Sequence, residues 1–66
     1  MARDIITELR NEAEELYSKL FKLTGLLLGD RPEFISETQW YLLRWQKDYM
    51  QDYYDVLMQR IEDLKK

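Results

Sequence analysis

Trp40, Tyr41, Trp45, Tyr49, Tyr53 and Tyr54 crowd about four helical turns of a 66-residue chain. Aromatic ring faces stack on planar groups with little demand on their identity, so such a cluster can form a wall for a nucleobase or similar ligand. Tyr41, Trp45 and Tyr49 recur at every fourth position and make one stripe of a helix. Arg44 and Lys47 are interleaved with them, and Arg31 precedes them. A planar anion is the ligand this combination suits, with Arg44, Lys47 and Arg31 neutralising phosphate and Trp40, Tyr41 or Trp45 stacking the base. The plainer alternative is that the same stripe packs against another subunit. Residue types alone leave both open.

Catalysis has little to build on. The chain contains no histidine and no cysteine, which removes the commonest general base, the thiol nucleophile and the usual zinc ligands. Ser18 and Ser36 have no base beside them in sequence. Asp48, Asp52 and Asp55 share one helical face, as do Glu8, Glu12 and Glu15. Grouped carboxylates can hold Mg²⁺ or share a proton, but with no phosphate-cradling glycine loop a solvated acidic face is expected. No catalytic residue, cofactor or metal site is therefore expected.

Two helices must position the aromatic and basic residues. The first is expected over about 4–28, with Asp4 as N-cap, acid-rich early turns and Gly29 as its stop. Its apolar seam runs Ala2, Ile6, Leu9, Ala13, Leu16, Leu20, Leu23, Leu27, widened on one flank by Tyr17, Phe21 and Leu28. Gly25 weakens its last turns. Pro32 breaks the chain, and Asp30-Arg31-Pro32-Glu33 can form a short turn. Ser36-Glu37-Thr38-Gln39 then fits a capping box, with Ile35 and Trp40 at the positions of a hydrophobic staple. No glycine or proline follows, so the second helix is expected over 37–65.

From Gln39 the steps four, three, four, three trace a heptad seam: Gln39, Leu43, Gln46, Met50, Tyr53, Leu57, Arg60, Leu64. One file, Leu43, Met50, Leu57 and Leu64, is apolar. The other, Gln39, Gln46, Tyr53 and Arg60, is polar, and burying such groups unpaired is costly. That file is expected to fix a register, specify an assembly or line a site. Gln46 is expected to bond across to another helix. Arg60 is expected to pair with Glu8 or Glu12, unless it and Tyr53 face a cavity between subunits.

The expected fold is all-α, one domain over 1–66, built as an antiparallel two-helix hairpin. A chain this short buries only about 60% of its unfolded surface. With no disulfide available, association into a homo-oligomeric bundle or ring is the expected staple. The net charge of −3 argues against coating DNA or RNA. No apolar run spans a bilayer and no signal core is visible near the start, so a cytoplasmic location is expected. Charge is uneven: the loop half, residues 16–47, has five basic against three acidic residues, while the other half has five against ten. An anionic ligand is thus expected near the loop, where the N-terminus of the second helix adds free N–H groups.

The run Glu15-Leu16-Tyr17-Ser18-Lys19-Leu20-Phe21-Lys22-Leu23, then Phe34, Leu42-Leu43, Gln46, Met50, Tyr53, Val56-Leu57 and Arg60-Ile61 resembles a family of small bacteriophage proteins related to one of crAss-like phages. The likeness spans roughly residues 15–62. Trp40 and Trp45 replace simpler residues common in that family, and Gly25 is also unusual. The resemblance implies an accessory phage protein acting in the host cytoplasm against host defence. Some proteins of this class are rings of helical hairpins that sequester cyclic-nucleotide or cyclic ADP-ribose signals, and others block a defence protein directly. The expected function is capture of a small anionic nucleotide between subunits, with Arg44, Lys47, Arg31, Trp40, Tyr41, Trp45, Tyr53 and Arg60 as candidate site residues. The alternative is a module whose aromatic face inhibits a host protein or scaffolds a phage assembly.

Overall fold

A computed structural model describes residues 2–66, with side chains from Asp4 onward. The Ala2 position of the expected seam and the charge of Arg3 lie outside the described side chains. Two helices, α1 (Ala2–Leu28) and α2 (Glu37–Lys65), make up the fold. They lie side by side in a rod of 48 × 15 × 14 Å. The N-terminal half of α1 packs on the C-terminal half of α2, through Leu9, Ala13 and Leu16 against Leu57 and Ile61, so the pair is antiparallel.

The helix ends show how the sequence sets these limits. α1 begins two residues earlier than expected, which places Asp4 inside the first turn rather than at the cap. Its carboxylate there still faces the positive end of the helix dipole. At the other end the Gly29 N–H donates to the Leu26 carbonyl at 3.3 Å, and no glycine has a positive φ among the described residues. A tightened last turn therefore ends α1, without a left-handed glycine.

The turn in the connection lies two residues later than expected. The Ile35 N–H donates to the Pro32 carbonyl at 3.0 Å, enclosing Glu33 and Phe34. Arg31 ties this loop together: its Nη1 donates to the Ile35 carbonyl at 2.6 Å, and its Nη2 lies 4.0 Å from Glu37 Oε1. Ser36 caps α2 as expected, in extended conformation (φ −67°, ψ 160°), its Oγ accepting from the Gln39 N–H at 3.1 Å. Gln39 itself is exposed and returns no side-chain bond, so half of the capping box forms. Trp40 is buried and Ile35 half-buried beside this cap.

The expected α1 seam is the buried one: Leu9, Ala13, Leu16 and Leu20 are all buried. The expected α2 seam is half right. Leu43, Met50, Leu57 and Leu64 face α1 and are buried or half-buried. The file that completes the seam is Trp40, Lys47, Tyr54 and Ile61, one position beyond Gln39, Gln46, Tyr53 and Arg60, which are all exposed. The polar file therefore avoids the desolvation cost instead of meeting it with partners. Lys47 tolerates the seam because its stem can lie along apolar surface while its amine reaches water, 3.9 Å from Asp48 Oδ1.

Leu57, only 1% exposed, is the best-buried side chain described. Leu57→Ala should lower stability by about 3 kcal/mol through lost transfer energy and the cavity left behind. Ser36→Ala should cost about 1 kcal/mol by freeing the Gln39 N–H. Urea titration followed by circular dichroism reads both. A Leu57 loss no larger than the Ser36 loss would contradict this placement of the core.

Candidate functional site

The loop end brings four of the candidate residues together. Arg31, Trp40, Tyr41 and Arg44, with Glu37, line an open depression of about 300 Å³. Arg44 also borders a second depression of about 270 Å³, shared with Lys47, Asp48, Thr24, Leu27 and Leu28. Local folding explains the grouping. The Arg31 hydrogen bond to Ile35 holds the loop against the start of α2, and Trp40 and Arg44 follow one and two turns later on that helix.

The cations are not equivalent. Arg31 is occupied by Ile35 and Glu37, and Lys47 lies near Asp48. Arg44 has no hydrogen-bond or ion-pair partner among the described residues, so it is the cation most available to an anion. Among the rings, Tyr41 is exposed, but Trp40 is only 9% exposed. Most of the Trp40 indole is buried, and little of it remains for a stacked base.

Trp45 and Tyr53 lie elsewhere. With Leu42, Gln46, Tyr49 and Met50 they line a broad, shallow, mainly apolar surface of about 550 Å³. Gln46 donates weakly to the Met50 sulfur at 3.8 Å, within its own helix rather than across to another. Arg60 is farther along α2, in a depression of about 440 Å³ with Ile5, Val56, Gln59, Asp63 and Leu64. It has no ion-pair partner among the described residues, so the expected pairing with Glu8 or Glu12 is absent within the protomer. The structure thus divides the eight candidates among the loop end, the middle of α2 and the far end.

A further cleft lies between the two helices. Tyr17 of α1 and Tyr54 of α2 meet with ring centroids 5.7 Å apart and planes tilted by 48°. Together with Arg10, Ala13, Glu14, Met58, Ile61 and Lys65 they line this cleft of about 410 Å³. The widening of the α1 stripe by Tyr17 was the only sequence signal for it. Its Lys65 is paired with Glu62 at 3.3 Å, and Glu14 adds an acid to the wall. Among the described residues no group of three or more metal-ligating side chains occurs, and no helix is long and apolar enough to cross a membrane.

Comparison with curated proteins and with solved structures finds no match. A family model described as Sequestin matches residues 3–63, which takes in nearly all of both helices, the loop and all eight candidate residues. The chain belongs to the Sequestin family.

Proposed function

We propose that this protein sequesters a small anionic nucleotide, and that the loop end of the hairpin supplies the anion contacts. The observation that carries this reading is Arg44, a guanidinium without a partner among the described residues, shared by two depressions that also hold Arg31, Trp40, Tyr41 and Lys47. The loop half of the chain has net positive charge within an acidic protein, which favours an anion there over the far end. The family name suggests sequestration, and the resemblance to small phage proteins supports a role in silencing a host immune signal in the cytoplasm.

Arg44 and Lys47 neutralise phosphate in this reading, with Arg31 joining if the ligand competes with Glu37. Tyr41 supplies the exposed ring, and Trp40 a small part of its own. The open depressions of a single hairpin cover only part of a nucleotide, so a second subunit closes the site. Tyr53 and Arg60 serve this ligand only through such a neighbour, since neither borders the loop-end depressions. Sequestration works by stoichiometric capture and demands tight binding, with no bond made or broken. A second reading, docking of the exposed α2 surface onto a host defence protein, draws on the apolar surface around Trp45 and Tyr49.

Thermal melting against a panel of cyclic nucleotides and cyclic ADP-ribose isomers tests the proposal. At a ligand concentration 100 times Kd, stabilisation is about 2.7 kcal/mol, or a rise of about 10–20 °C in Tm for a chain of this size. Heat release should return the ligand chemically intact. No shift with any member of the panel would favour the protein-docking reading, and an altered ligand would mean catalysis. Arg44→Glu with Lys47→Glu should abolish the shift, while Arg10→Glu should leave it unchanged. The reverse pattern would move the site to the Tyr17–Tyr54 cleft.

A further inference from the structure

One stripe of α2 serves neither the hairpin core nor the loop-end depressions. Leu42, Trp45, Tyr49, Tyr53 and Val56 are all exposed, Tyr49 at 70% and Trp45 at 59%. Their spacing is three, four, four, three, so they share one face of the helix over about 21 Å. Gln46 and Met50 fill its edge toward the core. None of these seven residues is charged, although charged residues make up 35% of the chain, and Asp52 borders the stripe on the edge opposite Gln46. Among the described residues thirteen large apolar side chains are exposed, against seven buried apolar ones, so the protomer leaves outside more than it encloses.

The spacing is symmetric about Tyr49. Leu42 and Val56 stand seven residues to either side, and Trp45 and Tyr53 stand four. We propose that this face binds the same face of a second copy, with the two α2 helices antiparallel about a two-fold axis at Tyr49. Leu42 then meets Val56 of the other copy, Trp45 meets Tyr53, and Tyr49 meets Tyr49. A two-fold contact must be self-complementary in this way, and the stripe pairs its largest ring with another ring and its two aliphatic side chains with each other.

The charged end of the stripe bears on the direction. Arg60 continues the same face one turn beyond Val56. Parallel pairing would press Arg60 against its counterpart and Asp63, which borders the same depression, against its own, two like-charge contacts at one end. Antiparallel pairing puts the two arginines at opposite ends, about 33 Å apart at 1.5 Å per residue. Covering the exposed parts of the five side chains removes on the order of 500 Å² per copy, and Gln46, Met50 and the Ile5–Arg60 region add to it. The total, about 1,000 Å² or more, reaches the size of a specific interface. The pairing leaves Arg31, Arg44 and Lys47 outside the contact, so it stands whether or not a nucleotide binds at the loop.

Because the chain has no cysteine, single cysteines report the geometry cleanly. Tyr49→Cys should cross-link to itself with a short bismaleimide. Leu42→Cys and Val56→Cys should cross-link when mixed, and neither should do so alone. Sedimentation equilibrium of the unmodified chain should give a dimer or a multiple of one, and Tyr49→Arg should weaken association at least 100-fold while keeping the helical circular dichroism signal. A monomeric unmodified chain, an association unchanged by Tyr49→Arg, or cross-links of Leu42→Cys to itself would each overturn the proposal. None of these readouts involves a nucleotide, so failure here is separable from failure of the sequestration reading.

Discussion

Two helices can bury only one face each against one another, and α2 has apolar residues on more than one face. This mismatch governs the molecule. The α1 seam is narrow and ends with Ala13 and leucines facing α2; it accepts Leu43, Met50, Leu57 and Leu64 together with one neighbouring file. Once Trp40, Tyr54 and Ile61 take that place, Leu42, Trp45, Tyr49 and Val56 are left outside. The exposed surface is thus a direct consequence of how the core is chosen.

The same choice separates the protein's surfaces by chemistry. Turning Trp40 and Lys47 toward α1 draws Arg44 to the side of the loop, where it joins Arg31 and Tyr41. The charge-free stripe faces another direction, with Arg60 at its far end. A small chain without disulfide, histidine or metal cluster among its described residues can in this way present an anion-attracting end and an apolar side at once. In the proposed account the apolar side builds the assembly and the basic end meets the ligand, so that stability and capture rest on different residues.

Much of the architecture was legible in the residues. The Ser36 cap, the break at Pro32 and the uninterrupted run to Lys65 located α2 to the residue, and the leucine spacing located the α1 seam. The second file of the α2 seam was not legible, for a geometric reason. Files at 39, 46, 53, 60 and at 40, 47, 54, 61 flank the leucine file at equivalent heptad spacing, one on each side. Each contains at least one long cationic side chain, Arg60 or Lys47, so polarity does not separate them decisively. Only the packing of Leu57 and Ile61 onto Leu9, Ala13 and Leu16 breaks the tie. The candidate site suffered the same ambiguity: residues adjacent in sequence, Arg44 and Trp45, fall on different surfaces because one helical step turns the direction by about 100°. The Tyr17–Tyr54 cleft needed both helices in place before it existed at all.

In the proposed assembly the Trp45 face of α2 is covered, although it is open in one hairpin. Trp45 and Trp40 are the only tryptophans, so Trp40→Phe leaves a single reporter on that face. Its emission should be blue-shifted and protected from acrylamide at high protein concentration, and should move to longer wavelength with full quenching on dilution. Emission typical of a water-exposed indole at every concentration, in a chain that remains helical, would contradict this assembly.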